Sequence, residues 1–165
     1  SNSTFHNRLR ATAALIKADV GAEAIAIDLD GWDTHSAQGN FVGTMFNNMT
    51  VLATGLQAFY RDVIAQGHAV TVVVMTEFGR EARENASLGT DHGSASVMFA
   101  MGNRINGNRV ITNWPTLSNL YANRDLRVTI DYRDVLAEIV QNRLNNVNLG
   151  SVFPGFVPTF RGVTI

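Results

Sequence analysis

Two short stretches of this chain set a histidine close behind carboxylates. They are Asp28-Leu29-Asp30-Gly31-Trp32-Asp33-Thr34-His35 and Gly89-Thr90-Asp91-His92-Gly93. Between them, directly after the most hydrophobic run, stands Thr76-Glu77-Phe78-Gly79-Arg80. Carboxylates and imidazoles gathered in this way are the donors that a hard or borderline divalent cation takes. In an extended loop, residues two apart point the same way, so Asp33 and His35 can converge on one ion. The alternative is that Asp33 turns the loop while His35 packs on Trp32 or donates to a carbonyl. Asp91-His92-Gly93 carries the same choice between a ligand pair and a plain turn. Glu77, at the carboxyl end of a strand, needs a partner or a site, and Arg80 offers a simple salt bridge. Taken together, the three stretches favour one metal site, with Asp33, His35, Glu77, Asp91 and His92 as candidate ligands. Glu77 and Arg80 are the candidates for catalysis.

Composition narrows the partners. With 13 basic and 14 acidic residues the net charge is −1, so nothing points to nucleic acid or an anionic membrane. Four histidines, at 6, 35, 68 and 92, are few enough for two of them in the key loops to be informative. There are no cysteines, which excludes disulfides and thiolate metal sites. No apolar stretch approaches the ~20 residues of a membrane-spanning helix, and the start has no signal-peptide pattern.

The elements that must position these residues read as α/β. A helix capped by Ser3 or Thr4 runs to about Asp19, with Phe5, Leu9, Ala13 and Ile16 on one face, and Gly21 stops it. Residues 23–29 form a short strand whose apolar run suits a sheet covered on both faces. A long helix from about Asn40 to Ala65 follows, with Val42, Met45, Met49, Leu52, Leu56, Phe59 and Val63 as its apolar stripe. Val70 to Met75 reads as a central strand, which makes the helix a βαβ crossover. Residues 77–93 have no clear period, as befits a functional loop. Further strands are expected at Ser94–Met101 and Arg109–Thr112, and Leu126–Ile130 reads as a short strand or an extended piece. A last helix is expected from Asp131 to about Asn145, with Val135, Leu136, Ile139, Val140 and Leu144 inward. The whole, residues 1–165, reads as a single α/β domain: a mainly parallel sheet flanked by helices. Residues 151–165 form an extended tail packed on the core or on a partner, because Phe153, Phe156 and Phe160 are too apolar for a free end.

Two other motifs compete for Asp28 and Asp30. A calcium loop beginning there fails at its twelfth position, which is Gly39 rather than glutamate. The strand followed by Asp28-Leu29-Asp30-Gly31 also resembles the first motif of haloacid dehalogenase-like phosphatases, with Thr76 as their second motif. That family needs a later lysine, but the chain's one lysine is Lys17, upstream. Gly102-Asn103 stands where its acidic magnesium pair belongs.

Four motifs occur in a specific order: Gly31-Trp32-Asp33-Thr34-His35; Thr76-Glu77-Phe78-Gly79-Arg80 with Glu84-Asn85; Gly89-Thr90-Asp91-His92-Gly93; and Asp131-Tyr132-Arg133. From about Leu9 to Leu144 the chain resembles the carboxyl-terminal part of the bacterial family of unknown function DUF1501. That family is grouped with alkaline phosphatase-like and sulfatase-like proteins. The resemblance implies a two-metal site that hydrolyses or transfers phosphate or sulfate esters. On it, Asp33, His35 and His92 match the first metal's ligands, and Glu77 stands in place of an aspartate. Phe78 replaces the histidine that would follow, which leaves a second metal without a ligand. The superfamily's early strand with its nucleophile has no counterpart before Asp30, so the expected fold is a fragment of the full one or a reduced relative. Ser36 and Ser94 are the nearby hydroxyls.

The expectation is therefore an alkaline phosphatase-like, metal-dependent hydrolase domain that uses zinc or manganese on a small anionic ester. Asp30, Asp91 and Arg80 would be supporting or substrate contacts. The alternatives are a haloacid dehalogenase-like phosphatase using Asp28 and Asp30, and a non-catalytic, metal-stabilised or binding domain. The resemblance implies export to the periplasm for the parent family, and the sequence leaves the oligomeric state open.

Overall fold

The computed structural model describes residues 2–165, with side chains from Thr4 onward. The helix-capping role considered for Ser3 lies outside the described side chains. The chain divides into two compact units, residues 1–70 with 83–91 and residues 71–82 with 92–165.

The first unit is built on helix α1 (Asn2–Lys17) and helix α2 (Thr44–Phe59), which continues into a π-helical turn at Tyr60–Ile64. Phe5, Leu9 and Ala13 are buried, as their spacing on one face of α1 requires. On α2 and the π-helical turn, Val51, Phe59, Val63 and Ile64 are buried as well. The buried line on the second helix is thus Val51, Gly55, Phe59 and Val63, stepping by four. The wider stripe expected from Val42 is shifted, for Val42 is 79% exposed and Met49 is also exposed. Gly55 explains the shift. A Cβ there would lie 2.8 Å from Phe5 Cε1 and 2.9 Å from Leu9 Cδ1, so the helices approach closely only over a residue without a side chain. His6 Nε2 lies 3.1 Å from the Val51 carbonyl and ties the same faces together.

In the second unit, β1 (Thr71–Val74) pairs antiparallel with β4 (Phe99–Gly102), Thr71 opposite Gly102 and Val74 opposite Phe99. The two-residue strands β2 (Gly79–Arg80) and β3 (His92–Gly93) pair antiparallel as well. Helix α3 (Tyr132–Leu144) begins at Asp131, whose carboxylate accepts the Arg133 N–H, and ends at Asn145 in the left-handed conformation. A single turn, α4 (Leu149–Val152), follows.

The mainly parallel sheet is corrected by this structure. Among the described residues there are only two two-stranded sheets, both antiparallel. Residues 23–29 form no strand; Ala24 to Ala26 are exposed, Ile25 by 42%, and Arg8 Nη1 donates to the Asp28 carbonyl. With no first strand there is no βαβ crossover. The segment Arg109–Thr112 is likewise not a strand, of the two readings of Leu126–Ile130 the strand does not form, and Ser94–Met101 is a strand only from Phe99. The physical reason is that four apolar residues in a row suit a covered strand and an extended connection equally. Only a hydrogen-bonded neighbour makes the strand. No helix among the described residues is long and apolar enough to cross a membrane.

The tail runs along α3. Asp134 and Glu138, on successive turns, are buried where an amphipathic reading places Val135 and Ile139, which are half-buried. Glu138 is 2% exposed. Its carboxylate accepts the backbone N–H groups of Arg161, Gly162 and Thr164 at 2.8–2.9 Å, and the Thr164 hydroxyl at 3.0 Å. Asp134 accepts the Thr159 N–H and pairs with the Arg161 guanidinium at 2.6 Å. Arg133 lies over the Phe156 ring, 3.9 Å from its centroid.

Candidate metal-binding site

In the first unit, the loop of residues 31–38 and the loop of residues 85–91 are laced together. Ala37 N–H donates to the Ser87 carbonyl and Gln38 N–H to the Leu88 carbonyl, at 2.9 and 2.8 Å. Thr90 N–H donates to the Thr34 carbonyl at 3.3 Å. The Gln38 side-chain carbonyl accepts both hydroxyls, Thr34 at 2.8 Å and Thr90 at 2.7 Å. Gly89 lets the backbones touch: a Cβ there would lie 2.3 Å from the His35 carbonyl group, which no side chain tolerates. On the other side, Asn48 Nδ2 donates to the Gly31 carbonyl at 2.6 Å and holds the start of the first loop to α2.

This lacing brings Asp33, His35 and Asp91 together. His35 Nε2 lies 3.0 Å from Asp33 Oδ1, and His35 Nδ1 lies 2.8 Å from Asp91 Oδ1. All three side chains are about half exposed. A neutral imidazole has one N–H, so it can donate to only one of these carboxylates. The second contact calls for a second proton or for a cation shared by nitrogen and oxygen. The donor set fits a cation. At usual bond lengths, neighbouring ligand atoms stand roughly 3.3 Å apart around tetrahedral zinc and about 2.9 Å apart around an octahedral ion. The Nε2–Oδ1 separation lies between these values. Asp91 on Nδ1 then fills the place where metal-binding histidines meet an outer carboxylate.

Asn85 completes the cluster. Its Nδ2 donates to the His35 carbonyl at 2.9 Å and to Asp91 Oδ1 at 3.1 Å. Its Oδ1 accepts the N–H groups of Ser87 at 2.9 Å and Gly89 at 3.1 Å. Asn85, Gln38 and Asn48 were not among the sequence candidates. Asn85 had a visible signal, an asparagine four residues before a glycine in a loop that must turn.

Asp28 and Asp30 are exposed on the extended segment that precedes the first loop. In the second unit, Glu77 is exposed just beyond β1. His92 stacks on Phe78 with ring centroids 3.9 Å apart and planes 13° from parallel. Arg80, which faces His92 across the β2–β3 pair, lies 5.0 Å from the Phe78 centroid. Gly93 allows this pairing, since a Cβ there would be 2.5 Å from the Arg80 carbonyl. His92 follows Asp91 directly in the chain.

A second polar cluster in that unit surrounds Asp125, which is 1% exposed. The Ser94 hydroxyl donates to its Oδ2 at 2.6 Å and Arg124 Nε to its Oδ1 at 2.8 Å, while Arg124 also reaches Glu81 at 3.2 Å. The Ser94 hydrogen bond, then Arg124, holds the Asp125 carboxyl below its ordinary range. Asp131 is lowered and Arg133 raised by their mutual hydrogen bonds.

No curated protein and no solved structure matches this chain. One family model does, over residues 4–150, a span that includes both loops, α3 and the Asp125 cluster. The chain belongs to the family described as a protein of unknown function, DUF1501.

Proposed function

We propose that this chain is a divalent-metal-dependent hydrolase domain acting on small phosphate or sulfate esters. The single observation that supports it most is His35 facing a carboxylate from each ring nitrogen. Asp33 and His35 Nε2 would hold the metal. Asp91 would fix the imidazole through Nδ1 rather than contribute a bond of its own. Mixed oxygen and nitrogen donors, with no thiolate, fit zinc or manganese. When bound, such an ion supplies Lewis acidity toward an ester oxygen. The choice of ester rests on the resemblance of these motifs to those of alkaline phosphatase-like and sulfatase-like proteins.

The test is elemental analysis of the purified chain beside Asp33→Ala and His35→Ala, after dialysis against zinc, manganese and magnesium. It is followed by turnover of aryl phosphates and aryl sulfates by the loaded protein. About one equivalent of metal in the parent chain, lost in both variants, together with turnover, supports the reading. No metal in the parent chain ends it. A second reading, a metal that only stabilises, is favoured by the hydrogen bonds that already join the two loops. A cation there would staple them. Bound metal and a raised melting temperature without turnover would select that reading.

A further inference from the structure

Metal affinity at a histidine depends on the atoms that aim the ring as well as on the ligands themselves. Asn85 spends all its hydrogen-bonding groups on the two loops that meet here. Two go to backbone N–H groups of its own turn, and the amide N–H₂ goes outward to the His35 carbonyl and to Asp91 Oδ1. The oxygen it touches on Asp91 is the one that meets His35 Nδ1. That oxygen therefore has a donor on either side, and Asp91 cannot rotate away from the imidazole without losing both.

We infer that Asn85 is a positioning residue: by fixing Asp91 and the His35 backbone it presets the imidazole to offer Nε2, not Nδ1, to the metal. This inference rests on the metal-binding reading above. Asn85 itself touches no metal. The amide is suited to the task because a carboxylate at 85 would face Asp91 with like charge, and an apolar side chain would leave the Ser87 and Gly89 amides without an acceptor.

Two measurements test the inference, with zinc itself as the probe. In the zinc-loaded parent protein, ¹⁵N imidazole shifts of His35 are expected to show Nε2 bound to metal and Nδ1 protonated; metal on Nδ1 would overturn the assignment. This needs no variant, so it stands even where a substitution disturbs folding. Zinc titration of Asn85→Asp, which keeps the acceptor for the turn amides, is expected to give an affinity lower by about 10- to 100-fold. An affinity within threefold of the parent's would sink the positioning role while leaving the metal site intact. If the parent protein takes up no zinc at all, the metal reading itself has failed, and the flat parent titration tells the two failures apart.

Discussion

His35 and Asp91 stand 56 positions apart in the chain, yet Nδ1 of one lies 2.8 Å from Oδ1 of the other. A carboxylate on the nitrogen away from the metal fixes the tautomer and raises the basicity of the ligating one. If Asp91 acts in this way, Asp91→Ala should weaken zinc binding by about 10- to 100-fold without abolishing it. His35→Ala should abolish it. Competition titration against a chromophoric chelator reads both, and equal, complete loss in the two variants would make Asp91 a direct ligand.

Gly89 provides a harsher test of the same loops. Its missing Cβ is where the His35 carbonyl sits, at 2.3 Å, and that neighbour is backbone. Gly89→Ala should cost about 1–3 kcal/mol of stability, as forced overpacking does. It should also weaken metal binding, because the two loops must part. Urea unfolding measures the first effect; a variant as stable as the parent protein would show that the loops do not close as described.

Glu138 should prove to be a structural anchor. Its carboxylate takes three backbone N–H groups and a hydroxyl of the tail, all partly buried. Glu138→Ala would strip those donors of their acceptor and is expected to cost about 2–4 kcal/mol. Limited proteolysis should then cut between residues 153 and 165 well before the rest of the chain. An unchanged digestion pattern would refute the clamp.

Asp125 gives a pH prediction with a definite sign. Its carboxyl is held below the ordinary value of 3.8, chiefly by the Ser94 hydroxyl and then by Arg124. A carboxyl whose pKa is lowered by folding contributes stability that is complete above its unfolded value and is lost as pH falls through the folded one. Ser94→Ala should therefore be less stable than the parent protein at neutral pH, and the gap should narrow below about pH 4. Melting temperatures from pH 7 down to pH 2.5 would show it, and a gap that widens on acidification would contradict the assignment.

The sequence by itself determined the helices whose signals are local. α3 lies between the residues that mark it: Asp131 caps the start and Asn145 takes the left-handed turn at the end. Phe5, Leu9 and Ala13 are buried at the spacing that announces them. It also made the pairs Asp33 with His35 and Asp91 with His92 visible as residue types at short range.

Only the tertiary structure decided the rest, because the deciding partners are remote. Whether Ala24–Ile27 is a strand depends on a neighbour to hydrogen-bond with, and none forms there; β1 instead finds β4 in the antiparallel sense. Asp134 and Glu138 read as the solvent face of a helix until the tail supplies backbone donors that make their burial tolerable. The same holds at the site. His35 has two plausible partners by type, but that Asp33 takes Nε2, Asp91 takes Nδ1 and Asn85 braces Asp91 is set by the lacing of two loops separated by the whole of α2 and β1. Residue types can be read one position at a time. A ring held from both sides is a property of the packed chain.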